Sequence, residues 1–426
     1  MAPDHAVAFG LVGRTLGHSW SPQIHNALGS VPYELIELEP EEVVPFIRDG
    51  AWRGLNVTIP YKRVAAEAAD VRSPRVEALG VANTLVHLDD GRIMADNTDV
   101  LGFNAMMEWF AVDRLETTAR RAFGGKKALV LGTGGAAQAV AYALTEFVGC
   151  NVAHVSRSGD STYENLLDLH ADAALIVNTT PVGMYPNCPA SPLADGVLEA
   201  LPQLTAVLDV VYNPTRTGIC QQAERAGIPA ESGLAMLVWQ AIFASELFQG
   251  RELDNALGPR IVNDILLQTG NVVLIGMPGA GKTTSGRALA RLTRRPFIDL
   301  DDAFTVDAGI TPAEFIQTYG EEAFRQRETA VLRSYAARSG LVIACGGGVV
   351  TRPENYAPLH QNGTIVLIDR PLEQLSAKGR PLSQSRGIEQ LAHERMGLYR
   401  LWADVTLPCT GSPAGDAELI RRSLGL

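Results

Sequence analysis

The 426-residue sequence predicts an α/β protein in three parts: an N-terminal α/β domain, a middle domain built on a parallel sheet, and a C-terminal domain built on a second parallel sheet. Three observations predict it. Short β-branched apolar segments alternate with longer helical stretches, as in Ala128–Leu131, Asn151–Val155, Ala174–Val177 and Ala206–Val211, which reads as βαβ units. The alternation restarts at Asn271–Ile275 and runs on through Pro296–Ile298, Leu341–Ala344 and Thr364–Ile368. A glycine-rich turn follows a strand twice, about 145 residues apart, and one sheet rarely carries two such turns.

Composition bounds the classes that remain. Hydrophobic residues make up 46% and charged residues 19%, which suits packed cores and excludes wholesale disorder. No apolar run approaches the ~18 residues of a membrane span. The start, Met-Ala-Pro-Asp-His, lacks the basic and apolar regions of a secretory signal. The five cysteines lie far apart without a C-x-x-C pair, so neither a zinc site nor a disulfide framework is expected, and a cytoplasmic location is. Net charge is −11, divided as 18 Lys+Arg against 31 Asp+Glu in residues 1–270 and 18 against 16 in 271–426. The acidic first part argues against nucleic acid as a partner. In the second part 16 of the 18 cations are Arg, whose fork matches phosphate and carboxylate, although arginine codon bias accounts for the same count.

In chain order, residues 1–103 form a first domain, and 104–233 form the middle one. The stretch from Gly233 to about Leu267 reads helical on Leu234, Leu237, Ile242, Leu247 and Phe248, and is expected to pack back on the first domain and complete it. Residues 268–270 are a short linker before 271–426.

The first glycine turn, Gly132-Thr133-Gly134-Gly135-Ala136-Ala137, follows a strand and opens a helix that runs to about Val148. It fits G-x-G-x-x-A, in which glycines allow the tight turn and the approach of a pyrophosphate to a helix N-terminus. The next strand ends at Ser156-Arg157, where an NAD site usually has an acid for the ribose hydroxyls. A cation there suits a 2′-phosphate and favours NADP; a solvated arginine at a strand end is the plainer account.

The N-terminal part holds three polar clusters. Ser19 and Ser21 precede Pro22 and a helix, where two hydroxyls suit a carboxylate or simple N-caps. Asn56, Thr58 and Lys62 lie at a strand end, and Asn83-Thr84 and Asp96–Asp99 follow. Each alone fits a turn. Together with Asn178-Thr-Thr-Pro181, Asp209–Pro214 and Gly233–Gln240, all in order, they make residues 6–267 or so resemble shikimate dehydrogenase. The resemblance implies a substrate domain, a Rossmann domain and reduction of 3-dehydroshikimate to shikimate with NADPH. It implies that Ser19 and Ser21 hold the substrate carboxylate, that Asn56, Thr58, Asn83, Tyr212 and Gln240 bind the ring or its hydroxyls, and that Lys62 and Asp99 are the catalytic pair. Gly132, Thr133, Gly134, Gly135, Ala136, Ser156, Arg157, Val210 and Gly233 are implied to hold NADP(H). The residue types suit the chemistry, since hydride attack on a ketone builds charge on oxygen that an ammonium can stabilise and protonate. The chain departs from the family in offering no second cation after Arg157 and in having Ala235 where glycine is common.

The second glycine turn, from Gly276 through Gly279-Ala280-Gly281-Lys282-Thr283, fits the P-loop pattern after a strand. Such a loop cradles phosphates on backbone N–H groups, with the lysine on the transferred phosphate and the hydroxyl on Mg²⁺. Downstream stand Asp299 and Asp301, Phe324–Glu328, Gly346–Gly348, Gly379–Leu382 and Arg395–Tyr399, an order that resembles shikimate kinase over 271–426. The resemblance implies an ATP site at Gly279, Ala280, Gly281, Lys282, Thr283 and Thr284, with Arg380 over the phosphates in a lid. Asp299 and Thr283 would hold Mg²⁺, and Asp301, Arg325, Gly347 and Arg395 would bind shikimate. Lys282, Asp301 and Arg380 would act in the transfer itself. Arg325 also stands at i,i+3 to Glu328, which is a plain helix ion pair. The segment Ala377–Arg386 is short for the family lid, and Gly397 replaces a frequent proline.

Two consecutive activities in one chain are therefore expected, with small molecules as the partners and no membrane. The alternatives are an active dehydrogenase joined to a nucleotide- or shikimate-sensing kinase-like half, and a first half that prefers quinate or NAD.

Overall fold

A computed structural model describes residues 7–17, 19–375 and 387–426. The chain divides into two compact units. The first takes in residues 1–182, 191–213 and 222–263; the second takes in 183–190, 214–221 and 264–426.

The first unit holds two sheets. One is six-stranded and mixed, in the order Tyr33–Glu37, Val7–Gly13, Trp52–Val57, Thr84–His87, Ile93–Asp96, Val71–Arg72. Its core gathers Val12, Val43, Ile47, Leu55, Leu85 and Ala95, all inaccessible. The other is five-stranded and parallel throughout, in the order Ala230–Glu231, Ala206–Asp209, Ala173–Asn178, Lys127–Leu131, Asn151–Val155. The strands Ala173–Asn178 and Ala206–Asp209 are buried along their whole length, as expected of a sheet covered on both faces.

The helix Thr98–Leu115 leaves the first sheet, and the helix Leu234–Gln249 packs along it. Gly102 makes that contact possible. A Cβ there would stand 2.7 Å from the Gln240 backbone nitrogen and 2.8 Å from the Met236 carbonyl. The predicted helical stretch is in fact two helices, because residues 250–256 break it. Gly250, in the left-handed region at φ +63°, ends the first of them.

The second unit is a five-stranded parallel sheet in the order Phe297–Asp299, Val342–Ala344, Asn271–Ile275, Gly363–Asp369, Val405–Pro408. The last strand has no counterpart in the sequence reading. It is an edge strand whose alternate residues face solvent, so it lacks the apolar run that marks the others. The expected linker at 268–270 is also corrected. The helix Leu257–Thr269 runs to Thr269, and only Gly270 separates it from the strand that follows. No described helix is long and apolar enough to cross a membrane.

Candidate functional site

In the first unit the polar clusters converge on one hydrogen-bonded chain. Lys62 opens a short helix, Asp99 lies in the first turn of the long one, and Lys62 Nζ donates to Asp99 Oδ2 at 2.5 Å. Their side chains are only 21% and 16% exposed, which sets them apart from a solvated surface pair. Asn83 Nδ2 donates to the other carboxylate oxygen at 2.9 Å and lies 3.4 Å from Gln240 Oε1. Asn83 is itself held by its Oδ1, which accepts from the Thr98 backbone at 2.7 Å and from the Thr84 hydroxyl at 3.1 Å. Asn56 extends the chain through Thr84 Oγ1 at 3.2 Å and accepts from the Tyr33 hydroxyl at 2.8 Å. Asp96 fixes the turn into Asp99, because its carboxylate accepts from Ser73, from Arg75 through two nitrogens, and from the Asn97 backbone.

Ser19 and Ser21 are not N-caps. The helix Ser21–Leu28 has Trp20 as its N-cap with no side-chain hydrogen bond, and the two hydroxyls bond each other at 3.1 Å. Burial raises the pKa of the Tyr33 phenol, and the Ser21 hydroxyl beside it opposes the shift. Thr58 is half-buried at the end of its strand. Tyr212 tilts against Trp20 with ring centroids 5.2 Å apart, and burial raises its pKa as well. Tyr33 and Trp20 were missed by the sequence reading, though Trp20 stands between the two serines that it singled out.

The candidate cofactor residues sit at the carboxyl ends of the parallel strands, where such sheets bind ligands. Gly132 follows Lys127–Leu131 at φ +111° and is half-buried, while Thr133, Gly134 and Gly135 are exposed. Gly134 caps the helix Gly135–Ala143 with no side-chain bond, and a Cβ on Gly134 or Gly135 would meet nothing within 4 Å. An open, uncapped helix start beside bare backbone, with Ala136 in its first turn, fits a pyrophosphate. Ser156 and Arg157 follow Asn151–Val155, and Arg157 is exposed. Val210 follows Ala206–Asp209, and Gly233 lies against it so closely that a Cβ would stand 2.1 Å from the Val210 carbonyl.

In the second unit the P-loop places Gly276, Gly279 and Gly281 at φ +142°, +89° and +100°. Ala280 is inaccessible beneath the loop. Gly281 caps the helix Lys282–Thr293 with no side-chain bond. Buried Lys282 donates to the Gly276 and Met277 carbonyls at 2.9 and 3.1 Å. Thr283 Oγ1 donates to Asp299 Oδ2 at 2.7 Å, while exposed Thr284 turns its hydroxyl to the Gly281 carbonyl. One hydroxyl and one carboxylate beside an anion cradle fit Mg²⁺, which keeps water and phosphate oxygens as its other ligands. No cluster of three or more His, Cys, Asp or Glu able to hold a metal occurs among the described residues.

Glycines 346–348 follow the next strand, and each is pressed by a different group. Cβ atoms there would meet Glu328 Oε1 at 2.8 Å and Asp301 Oδ1 at 3.2 Å from Gly346, Pro278 of the P-loop at 2.7 Å from Gly347, and the Arg325 guanidinium at 2.1 Å from Gly348. The turn thus gathers Asp301, Arg325 and the phosphate loop. Arg325 forms the helix pair foreseen for it, with Nη1 on Glu328 Oε2 at 2.7 Å, both groups being buried. Arg395 Nη1 donates to the Gly347 carbonyl at 3.0 Å, and the hydroxyl of inaccessible Tyr399 donates to the same oxygen. Loss of hydration, reinforced by Asp299 and Glu328 and opposed by Lys282 and Arg325, pushes Asp301 up to about 6. Arg380 lies outside the described residues, as does the whole segment 376–386.

Two family models match the chain: "Shikimate dehydrogenase substrate binding domain" over residues 11–85 and "Shikimate kinase" over residues 278–424. The shikimate dehydrogenase (NADP(+)) of Oleidesulfovibrio alaskensis is 37% identical over 280 residues, spanning 61% of this chain and 95% of that protein. Among solved structures, a chorismate mutase/shikimate 5-dehydrogenase fusion protein from Clostridium acetobutylicum is 31% identical with a TM-score of 0.54, covering 61% of this chain and 97% of that one. A shikimate 5-dehydrogenase from Thermus thermophilus, in complex with NADP(H) and shikimate, is 30% identical with a TM-score of 0.51, covering 61% and 99%.

Proposed function

The chain belongs to the shikimate dehydrogenase family and continues into a region that matches shikimate kinase, and from this premise we propose that it reduces 3-dehydroshikimate to shikimate with NADPH and then phosphorylates the shikimate with ATP. The observation that carries the first step is the half-buried Lys62–Asp99 pair, locked by Asn83. NADPH supplies the hydride when bound. Lys62 holds a proton on Nζ beside the ketone oxygen, stabilises the charge that grows there and protonates the alkoxide. Asp99 orients the ammonium and accepts from a substrate hydroxyl. Ser19 and Ser21 donate to the carboxylate, and Asn56, Thr58, Asn83, Tyr212 and Gln240 surround the ring.

The second step is supported by the gathering of Asp301, Arg325, Gly347 and Arg395 about one turn against the P-loop. ATP with Mg²⁺ supplies the phosphoryl group. Arg325 and Arg395 neutralise the shikimate carboxylate, Asp301 accepts the hydroxyl proton, and Lys282 offers charge to the transferred group, so catalysis rests on positioning and electrostatics. An assay with 3-dehydroshikimate, NADPH and ATP–Mg that follows NADPH loss and ADP formation together tests both steps. NADPH loss without ADP formation would leave the second unit a sensing module.

A further inference from the structure

The second unit carries a cation that none of the motifs above uses. Arg370 follows the strand Gly363–Asp369 at its carboxyl end, beside the phosphate loop. A Cβ on Gly276 would lie 2.8 Å from the Ile368 carbonyl, so this strand end and the loop are in contact. Arg370 Nη2 stands 3.7 Å from the position that a Cβ would take on Gly281, a spot equally near the Thr284 hydroxyl. The same nitrogen lies 2.8 Å from Cys409 Sγ, a weak acceptor. The Arg370 Nε is buried without a hydrogen-bond partner among the described residues. Asp416, the acid at that thiol, is taken by Ser285 and by the Thr410 backbone and hydroxyl.

A half-buried guanidinium that faces a thiol is costly unless an anion completes it. The neighbouring groups are those of an anion site, since Gly281 and the first turn of Lys282–Thr293 offer backbone donors that no side chain caps. Sheet order says which part of the anion is meant. Asp301 and Arg325 follow Phe297–Asp299 and Gly347 follows Val342–Ala344, on one side of the P-loop strand, and Arg395 reaches that side from the helix Ile388–Trp402 by its bond to the Gly347 carbonyl, whereas Arg370 and Cys409 lie directly at the ends of the two strands on the other side.

We propose that Arg370 is a further phosphate-binding residue of the nucleotide site, gripping a phosphate of ATP other than the one transferred. The inference rests on the ATP-site reading of the P-loop.

The test is calorimetric titration of the full-length protein with ADP and, separately, with inorganic tripolyphosphate, which has no base. Arg370→Ala and Arg370→Gln are expected to weaken both probes about ten- to a hundredfold, the worth of one charged hydrogen bond, while Arg370→Lys recovers most of the loss. Thermal melting of each variant establishes that it is folded, and Arg370→Lys serves if the neutral variants are not. Weakening of ADP with tripolyphosphate unchanged would put Arg370 on the base and overturn the assignment. A lysine variant as weak as alanine would also overturn it, because charge would then not be what binds. Unchanged affinity in every Arg370 variant, with Lys282→Ala abolishing binding, would overturn the role of Arg370 and leave the P-loop reading intact. Failure of the parent protein to bind either probe would sink both.

Discussion

Tyr399 and Arg395, one helical turn apart on Ile388–Trp402, donate to a single oxygen, the carbonyl of Gly347. The carbonyl fixes the guanidinium, and the phenol fixes the carbonyl. Tyr399 is inaccessible, so on the proposed reading it is expected to act on the acceptor site through Gly347 and Arg395 and not by touching shikimate.

Tyr399→Phe therefore separates positioning from packing. It keeps the ring in its place and removes one hydrogen bond, worth about 1 kcal/mol. The KM for shikimate is expected to rise roughly five- to tenfold with kcat nearly unchanged and ADP affinity unaltered. A fall in kcat with KM constant would show that the hydroxyl does not act through the carboxylate clamp.

Lys62→Ala removes the ammonium at the end of the hydrogen-bonded chain from Tyr33 to Asp99. Loss of the proton donor and of the charge together is expected to lower kcat for reduction at least about a hundredfold. ADP formation from added shikimate is the internal control, since it draws on a separate set of residues. Reduction at a near-normal rate by this variant would take Lys62 out of the mechanism.

How far the sequence leads depends on how local each feature is. Asn151–Val155 and Asn271–Ile275 were legible to the residue because short apolar, β-branched runs between turns mark the strands of a parallel sheet. Val405–Pro408 was not, since an edge strand that alternates toward solvent resembles a loop. The P-loop and the G-x-G-x-x-A turn are motifs of contiguous residues and were readable as motifs. The hydrogen bonds from Tyr33 to Asn56 and from Tyr399 to Gly347 join residues 23 and 52 positions apart, and only the folded sheet brings them together. Of the two readings of Arg325, the helix pair with Glu328 is present, and it holds the guanidinium over Gly348. Nothing local distinguishes Arg370 from a solvated arginine at a strand end; its place beside Gly281 is a consequence of strand order.

Arg157 bears on cofactor choice. It is exposed after Asn151–Val155, and no further cation follows in the turn Ser158–Ser161. One charged hydrogen bond to a 2′-phosphate is worth roughly 1.5–3 kcal/mol, and a single exposed one belongs at the lower end. The protein is expected to prefer NADPH to NADH, and Arg157→Ala to narrow the preference by about tenfold. Added salt should narrow it in the parent and leave the variant unmoved. Equal use of NADH and NADPH by the parent would favour an NAD-preferring first unit.

On the proposed reading, Asp301 is expected to give the phosphorylation step an acid limit that the reduction step does not share. Its carboxyl is pushed up to about 6 from the usual range, first by lost hydration and then by Asp299 and Glu328. The sign follows from the raised value. Below about pH 6 the folded protein holds Asp301 protonated, and a protonated carboxyl has no vacancy for the hydroxyl proton of the acceptor. The kcat/KM for shikimate should therefore fall about tenfold per unit as the pH drops through that value, and level off above it. Stability runs the other way. A carboxyl whose pKa is raised by folding favours the native state when protonated, and that contribution is lost as the pH rises through the usual carboxylate range to about 6. Because Asp301 is exposed to solvent screening, Asp301→Asn is expected to melt only slightly higher than the parent at about pH 7.5 and at nearly the same temperature at about pH 4, while losing phosphoryl transfer at both. A pH–rate profile of the parent that stays flat down to about pH 5, with Mg²⁺ saturating, would show that Asp301 is not the proton acceptor. An asparagine variant that retains transfer would show the same, whatever its melting temperature.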